Sequence, residues 1–275
     1  MTTTWGEGHE PEPQPIPLAG WVRITLRAVV IITLILLCLA LLLLLRLVER
    51  PIYGLRRPIT PHITQFVCRS ALRILRLPLR VHGQPLHGRA AVVANHTSWL
   101  DIFVLNASKR IFFVSKSEVA GWPGIGVLAR ATGTLFIRRE RSEALAQTKI
   151  MQERLLAGQK LLFFPEGTST DGMQVLPFKT TLFASFMAPE LRDVLQVQPV
   201  SVIYHAPLGE EPRFYGWWGD MSFASHLLST LACAKRGRID IVYHPALKVA
   251  DFTDRKALAK ACEAAVRAGH SAHRN

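Results

Sequence analysis

Residues 91–101, which read AVVANHTSWLD, decide how the rest of the chain is interpreted. The Val-rich apolar run at residues 90–94 is typical of a buried strand, and the polar residues 95–98 predict a loop. An apolar pattern resumes at residue 99. This stretch therefore predicts a strand that ends in a polar loop, with a helix beginning shortly after it.

The loop holds His96, and Asp101 follows five residues later. On one continuous helix their side chains would point about 140° apart, so they cannot pair as helix neighbours. If His96 lies on the loop and Thr97 or Ser98 caps a helix whose first turn contains Asp101, the carboxylate can bond to one imidazole nitrogen. The other nitrogen could then act as a base. A loop histidine beside a capping box formed by Ser98 and Asp101 explains the same residues.

A second motif, LLFFPEGTSTDG, occupies residues 161–172. Residues 161–164 predict another buried strand, Pro165 ends it, and residues 166–172 form a polar loop with two glycines. Ligands of open α/β sheets bind at the ends of strands. The two loops are therefore expected to form one site.

Together, NHTSWLD and FPEGTSTDG resemble the two hallmark motifs of the glycerolipid acyltransferase family, H-x-x-x-x-D followed further along the chain by F-P-E-G-T. Residues 133–139 look like the family's G-x-x-F-x-x-R block, and residues 197–200 look like its V-x-P-V block. The resemblance extends over roughly residues 60–250. It implies a membrane-bound enzyme similar to 1-acylglycerol-3-phosphate acyltransferases, which transfers a fatty acyl group from a thioester to a lysolipid hydroxyl.

The resemblance also assigns roles to residues. His96 would be the general base, and Asp101 would orient its imidazole. Substrate binding would fall to Lys116, Arg139, Glu166, Gly167 and Thr168. No metal and no cofactor is expected, because the acyl donor, acyl carrier protein or coenzyme A thioester, is itself a substrate. No spacing of His, Cys, Asp or Glu suggests a complete metal site.

Two departures bear on the acceptor. Many lysophosphatidate acyltransferases have an arginine after E-G-T, where this chain has Ser169, and Asp171 follows nearby. A carboxylate is a poor neighbour for a phosphomonoester. Thr181 also stands where the family often has glycine. The EGTSTDG form looks more like the bacterial branch that includes lyso-ornithine lipid acyltransferases.

The chain is strongly basic, with 33 Lys and Arg against 20 Asp and Glu and a sequence pI of about 10.2. It has no zinc-finger, RNP or helix-turn-helix signature, and its basic residues crowd beside an apolar segment. Membrane lipid is therefore the expected partner, and nucleic acid is not. The four cysteines show no CxxC or metal pattern, and a cytosolic enzyme would keep them reduced.

The amino-terminal part predicts membrane attachment. Residues 1–20 are Pro-rich and acidic and predict a disordered tail, whereas residues 21–50 contain an apolar run at 28–45 that is long enough to anchor the chain. Eight arginines lie between residues 46 and 80. The positive-inside rule then places the catalytic domain on the cytoplasmic side of the inner membrane, behind a single span or a re-entrant helix.

Residues 51–80 predict an amphipathic segment at the membrane interface, with a helix near residues 62–77. Arg69, Arg73 and Arg76 form a narrow stripe, and Val67, Ala71 and Ile74 lie opposite. Such a helix could lie in the headgroup plane with its arginines toward anionic lipid. A surface helix packed on the domain would show the same pattern.

Residues 81–269 predict the acyltransferase domain, and residues 270–275 a short frayed tail. Strands are expected at 90–95, 111–115, 134–137, 161–164, 197–204 and 239–243. Helices are expected near 98–107, 142–157, 179–188, 222–235 and 254–268. This alternation is typical of the α/β class, a mixed sheet with helices on its faces, here preceded by the anchor and the interfacial helix.

Alternatives to the transferase remain. A non-catalytic lipid-binding protein could keep the same fold, although intact His96, Asp101 and Glu166 argue against it, and a lipid hydrolase would release free fatty acid. A covalent acyl-enzyme is disfavoured because the chain has no G-x-S-x-G elbow. The aromatic residues 214–218 could be core, or a wall for an acyl chain.

Overall fold

The computed structural model describes residues 15–88, 90–138 and 144–274. The α-helices are α1 Leu18–Tyr53, α2 Thr60–Ile74, α3 Asp101–Ser108, α4 Ile125–Thr132, α5 Ala144–Leu156, α6 Pro189–Arg192, α7 Phe223–Ala232 and α8 Arg255–Arg274. The strands are β1 Leu79–His82, β2 Ala90–Ala94, β3 Phe112–Lys116, β4 Leu135–Ile137, β5 Leu161–Phe163, β6 Gln196–His205, β7 Arg238–Tyr243 and β8 Leu247–Lys248. Short 3-10 helices occupy Ser117–Gly121, Leu182–Met187 and Val249–Asp251.

The strands form one mixed sheet in the order β1-β7-β6-β2-β5-β3-β4, with β8 also paired to β6. The five strands from β6 to β4 are parallel to one another, while β7 and β8 run antiparallel to β6. The sequence prediction of an α/β mixed sheet is confirmed.

Strand β2 lies at the centre of the sheet, between β5 and β6. All five of its residues are buried, as its unbroken apolar run predicts for a strand covered on both faces. Val93 is in register with Phe163 on one side and with Pro199 on the other. Because β2 and β5 are parallel, their carboxyl ends and the loops that follow lie side by side at one edge of the sheet.

Two apolar clusters fill the two faces of the sheet. One packs the sheet against α2, α3 and α7, and it includes Leu72, Val104 and Leu231. The other packs it against α5 and α8, and it includes Leu155 and Leu258. Helices α1 and α2, which form the predicted membrane elements, therefore lie on the same face of the sheet as α3, the helix that begins at Asp101.

Helix α1 is 36 residues long and is the one helix within the described residues that is long and apolar enough to cross a membrane. Its ends contact the rest of the protein. Near the start, Nη1 of Arg27 donates to the carbonyl oxygens of Leu231 and Cys233, at the end of α7. Near the other end, Glu49 contacts the start of α2. The intervening apolar side chains are largely exposed.

Helix α2 packs on α3 through a buried face that includes Gln65, Cys68 and Leu72. It ends at Ile74, three residues before the predicted end, so Arg76 lies outside the helix. The predicted arginine stripe therefore lies only partly on α2, and its last member is in the turn that follows the helix. Arg69 and Arg73 remain on the exposed side of α2.

The sequence missed strands β1 and β8, which are short and border the sheet on its antiparallel side. The helix predicted at 179–188 is instead a 3-10 helix at Leu182–Met187 followed by the four-residue α6. The frayed tail predicted at residues 270–275 was also wrong, because α8 continues to Arg274. His270, on that last part of α8, is buried and contacts the carbonyl oxygen of Gly172 through Nε2.

We predict that Glu49→Ala lowers the thermal midpoint of unfolding in detergent. The buried Glu49 carboxylate accepts hydrogen bonds from the backbone N–H groups of Ile59 and Thr60, from the Thr60 hydroxyl and from Arg46. Its loss leaves N–H donors at the start of α2 without a partner, which costs about 1–3 kcal/mol. Glu153→Ala, at an exposed position on α5, is the control and should leave the midpoint unchanged. Equal midpoints for both variants would contradict the prediction.

Candidate active site

His96 and Asp101 lie at the carboxyl end of β2, where the loop turns into α3. Nδ1 of His96 is 2.7 Å from Oδ2 of Asp101. Helix α3 begins at Asp101 itself, so the carboxylate stands in its first turn and reaches back to the loop. The pairing that the sequence predicted as one of two alternatives is the one that the structure contains.

Three other donors converge on the Asp101 carboxylate. The backbone N–H groups of Thr97 and Ser98 donate to Oδ2, at 2.8 and 3.1 Å, and the hydroxyl of Tyr204 donates to Oδ1 at 2.7 Å. Asp101 is completely buried. With every other partner of the carboxylate a donor, Nδ1 of His96 carries its proton toward Asp101, and Nε2 is left with a lone pair.

The side-chain cap that the sequence predicted for α3 is absent. Neither Thr97 nor Ser98 caps α3 with its side chain, and their backbone N–H groups bond to the Asp101 carboxylate instead. The Ser98 hydroxyl accepts a hydrogen bond from the N–H of Leu100 at 3.3 Å. The backbone of Thr97 and Ser98 therefore holds the Asp101 carboxylate that pairs with His96, and the capping box suggested by the sequence does not form.

The sequence analysis missed Tyr204, which lies near the end of β6 and contacts Asp101 across 103 residues of chain. Burial, together with the neighbouring carboxylate, holds the pKa of Tyr204 well above its ordinary value, so its hydroxyl stays protonated and donates. The only signal in the sequence is a tyrosine ending an apolar strand. That signal does not specify which loop the hydroxyl faces.

Glu166 lies in the loop after β5 and binds the backbone of the neighbouring loop. Its Oε1 accepts from the N–H of His96 at 2.7 Å, and its Oε2 accepts from the N–H of Leu176 at 2.8 Å. Burial raises the pKa of Glu166 to about 8, against the opposing effect of the two N–H donors. Since only 1% of Glu166 is exposed, we assign it to positioning His96 rather than to direct contact with a lipid.

Further backbone contacts hold the His96 loop to the loop after β5 and to the aromatic residues 214–218. The N–H of Thr170 donates to the carbonyl oxygen of His96 at 3.0 Å, and the N–H of Trp217 donates to the carbonyl oxygen of Thr97 at 2.9 Å. Gly172 has a φ of +79°, and a Cβ there would lie 2.6 Å from the Thr97 side chain. Glycine at 172 therefore permits the loops to approach as closely as they do.

The imidazole of His96 stacks on Phe164, with ring centroids 4.0 Å apart and planes inclined by 10°. Its side chain is 21% exposed, and within the described residues Nε2 makes no hydrogen bond. The ring is thus held on one face and at Nδ1. Nε2 is available to a substrate hydroxyl, which is what general-base catalysis requires.

A row of aromatic rings, which we call the aromatic row, lies beside the His96 loop. Successive ring centroids are 5.5–6.4 Å apart. Its members, in order, are Trp122, Trp217, Phe223, Trp99 and Phe103. The aromatic patch at residues 214–218 therefore divides, since Trp217 joins this half-buried row whereas Trp218 is buried in the core.

Trp99 is fixed within the row by a hydrogen bond from its Nε1 to Nδ1 of His226, 2.8 Å long. Burial lowers the pKa of His226 to about 4, so this histidine is neutral and its Nδ1 can accept. Sequence reasoning did not single out His226. An isolated histidine in the apolar helix α7 carries no signal of such a partner.

The other predicted site residues divide into three groups. Lys116 ends β3, two strands from β2, at the same edge of the sheet as His96. Gly167 and Thr168 lie in the β5 loop beside Glu166, where Gly167 adopts a φ of +75°. Arg139 lies outside the described residues. Among the residues that the structure describes, no group of three or more His, Cys, Asp and Glu side chains is placed to hold a metal.

Comparison with known proteins agrees with this geometry. Residues 78–203 match the family model described as Acyltransferase. A lyso-ornithine lipid O-acyltransferase from Rhodobacter capsulatus is 56% identical over 265 residues, which cover 96% of each chain. This chain belongs to the acyltransferase family. The resemblance inferred from the two motifs is confirmed, and the protein is an acyltransferase.

A shorter sequence match and a solved structure add to this comparison. A 1-acyl-sn-glycerol-3-phosphate acyltransferase from Neisseria gonorrhoeae is 38% identical over 120 residues, which cover 42% of this chain and 47% of the relative. The crystal structure of the 1-acyl-sn-glycerophosphate acyltransferase PlsC from Thermotoga maritima has a TM-score of 0.65 and 20% sequence identity. The match covers 92% of this chain and 97% of the Thermotoga maritima chain, and it shows that the two proteins share a fold.

We predict that Tyr204→Phe destabilises the protein by about 1–3 kcal/mol, because Oδ1 of the buried Asp101 loses its partner. The turnover number should also fall, because the carboxylate that orients His96 is less firmly held. Tyr243→Phe is the matched control, since its buried hydroxyl bonds to Ser108 and not to Asp101. Melting curves and acyl transfer rates measured on both variants test this. Equal activity losses in the two would show that Tyr204 has no special role.

We predict that Glu166→Gln lowers kcat by roughly 10- to 100-fold with little change in KM, a part of what a general base contributes. Glutamine can accept from only one of the two N–H donors and turns its own NH₂ group toward the other. Glu263→Gln is the control, because Glu263 accepts from the backbone N–H of Phe178 and from Arg267 and does not bond to His96. A higher KM with unchanged kcat would instead indicate that Glu166 contacts the lipid.

Proposed function

We propose that this protein is a lysolipid O-acyltransferase that acylates lyso-ornithine lipid, with acyl carrier protein or coenzyme A thioester as donor. The observation that carries the proposal is the 2.7 Å contact between Nδ1 of His96 and the buried Asp101, with the His96 side chain 21% exposed and its Nε2 without a hydrogen bond among the described residues. That arrangement removes a proton from a hydroxyl, and an O-acyltransferase needs this step.

In the proposed reaction, Nε2 of His96 takes the proton of the lipid hydroxyl while the oxygen attacks the carbonyl carbon of the thioester. The tetrahedral intermediate collapses, the carbon–sulfur bond breaks, and the new ester remains on the lipid. The imidazolium returns the proton to the departing thiolate. Asp101 stays ionised throughout and stabilises the imidazolium, as in other His–Asp pairs.

The acceptor is proposed from the names of relatives and from the β5 loop. The long match to the Rhodobacter capsulatus enzyme covers nearly the whole chain, whereas the Neisseria match covers less than half. Ser169 stands where an arginine would favour a phosphomonoester, and the partly exposed carboxylate of Asp171 follows it. A carboxylate suits the ammonium group of an amino-acid lipid better than it suits a phosphate. 1-Acyl-sn-glycerol-3-phosphate is the second candidate.

The acyl chains need an apolar surface near His96, and we propose that the aromatic row supplies it. Trp99 lies three residues from His96, and the backbone of Trp217 bonds to Thr97. Aromatic rings with half-buried faces offer a large contact area to a hydrocarbon chain. The patch at residues 214–218 would then serve both of the roles considered from the sequence, core and chain wall.

We further propose that α1 holds the enzyme on the cytoplasmic side of the inner membrane. Arg27 and Glu49 contact other parts of the protein at positions 22 residues apart, which is about 33 Å along a helix. A helix held at two such points lies along the domain, so its exposed apolar side chains would enter the bilayer from one side. The arginine-rich residues 46–80 favour the cytoplasmic leaflet.

We predict that wild-type protein in detergent transfers a labelled acyl group to lyso-ornithine lipid in preference to 1-acyl-sn-glycerol-3-phosphate. Both donors, acyl carrier protein and coenzyme A thioesters, are tested with both acceptors. His96→Ala should lower the rate by roughly 10²- to 10⁴-fold, the usual contribution of a general base. His87→Ala, at an exposed histidine outside the site, should transfer as wild type does.

Other outcomes identify the alternatives. Label in 1-acyl-sn-glycerol-3-phosphate alone would select the second acceptor, and free labelled fatty acid without acceptor would indicate a hydrolase. Lipid binding without transfer would indicate a non-catalytic lipid-binding protein. Full activity of His96→Ala would refute the assignment of the base.

A further inference from the structure

A cavity of about 710 Å³ lies between α2, the end of α3 and the edge strand β1, and His96 does not line it. Four arginines line it: Arg69, Arg73, Arg76 and Arg236. No Asp or Glu is among the described residues that line it, and apolar side chains, including Leu77 and Leu79, complete the wall. We call it the arginine cavity. Its composition suits a ligand that is anionic at one end and apolar at the other.

Two of the four arginines are held in place by carbonyl oxygens. Nε of Arg69 donates to Ala107 at 2.8 Å, and Nη1 of Arg76 donates to Ala234 at 3.2 Å. Each guanidinium has five N–H donors, so these bonds leave most of them available. Two positive charges are thereby fixed at the wall of the cavity.

The other two arginines are not used by the fold. Arg73 and Arg236 are exposed, and within the described part of the chain neither guanidinium makes a hydrogen bond or an ion pair. Capping of helix ends accounts for Arg69, whose partner ends α3. It does not account for Arg73 or Arg236, nor for the absence of acidic residues from the lining of the same cavity.

The backbone of Arg76 gives an independent indication. It has a φ of +59° and is the one non-glycine residue with positive φ among the described residues. The N–H of Leu77 bonds to the carbonyl oxygen of Leu72, so Arg76 occupies the helix-ending position that normally selects glycine. A side chain there costs about 1–2 kcal/mol. Arg76 therefore lines the cavity although its backbone conformation favours glycine.

The arginine cavity lies beside the proposed membrane helix. Helix α1 packs on α2, which carries Arg69 and Arg73, and its Arg27 bonds to Leu231 and Cys233, close in sequence to Arg236. A ligand that reaches the cavity from a bilayer around α1 would therefore meet the arginines and the apolar wall together. This step rests on the proposed placement of α1, and not on the proposed acceptor.

We propose that the arginine cavity binds the phosphodiester headgroup of an anionic membrane phospholipid, distinct from the lysolipid that is acylated. Guanidinium forks bind phosphate oxygens in pairs, and the apolar wall contacts the start of the acyl chains. Ala107 and Ser108 at the cavity end the helix that Asp101 begins, about 10 Å away along α3. The bound lipid orients the enzyme on the bilayer close to its catalytic residues.

The acyl donors also carry phosphate, in the phosphopantetheine arm and in coenzyme A. The apolar wall and the neighbouring α1 favour a bilayer lipid over these water-soluble donors. Donor binding is accordingly the competing outcome of the test.

We test the proposal with full-length protein in a neutral detergent, measuring bound phosphatidylglycerol and phosphatidylcholine by native mass spectrometry. Wild type should prefer phosphatidylglycerol. The double variant Arg73→Gln/Arg236→Gln should lose roughly thirtyfold in affinity for phosphatidylglycerol, given two lost contacts to an anionic lipid. Arg255→Gln is the matched control, because Arg255 is exposed and lies on α8, at the opposite face of the sheet.

Arg76→Gly separates binding from folding. Glycine relieves the positive φ, so the thermal midpoint should stay the same or rise while phosphatidylglycerol binding weakens. His96→Ala should bind phosphatidylglycerol as wild type does, so failure of the catalytic proposal and failure of this one are distinguishable.

Two results would overturn the proposal. One is phosphatidylglycerol binding by Arg73→Gln/Arg236→Gln equal to that of wild type. The other is displacement of phosphatidylglycerol by coenzyme A together with a raised KM for acyl-coenzyme A in the same variant, which would make the cavity a donor site.

Discussion

The arrangement of the loops at the sheet edge that carries His96 depends on the buried carboxylate of Asp101. A fully buried charge is tolerated only when its oxygens are hydrogen-bonded, and here four donors do this, one of them the imidazole of His96. Two come from the loop that carries His96, and one comes from Tyr204 on β6. Satisfying this one carboxylate therefore fixes the ring of His96, the course of the loop and the register of the loop against β6.

Glu166 also holds the His96 loop in place, and it does so from the loop after β5. The parallel pairing of β2 with β5 brings the two polar loops to the same edge of the sheet, and Glu166 then bonds to the backbone of His96. The two motifs recognised in the sequence are thus two parts of one hydrogen-bonded unit. In this unit His96, the proposed base, is held by the carboxyl groups of Asp101 and Glu166.

The division of the sheet into two faces places the proposed membrane helix on the same side as α3. Helices α2, α3 and α7 share one face, and α1 packs on α2 and α7, so the proposed membrane helix, the aromatic row and the arginine cavity all lie on the side where α3 packs. Helix α3 begins at Asp101 and ends at the arginine cavity. About two turns of α3 separate the carboxylate of Asp101 from the proposed lipid site.

The sequence alone determined the α/β class, six of the strands, the apolar α1, and His96 with Asp101, because these depend on local periodicity and on two motifs with a family resemblance. It could not decide between a capping box and a His–Asp pair, since that depends on where α3 begins and on what faces its first turn. Tyr204, His226 and the arginine cavity required the tertiary structure, because their partners lie 103, 127 and up to 167 residues away along the chain. Glu166 illustrates the same limit: its motif predicted a site residue, but only the packed loops decided that it bonds to the backbone of His96.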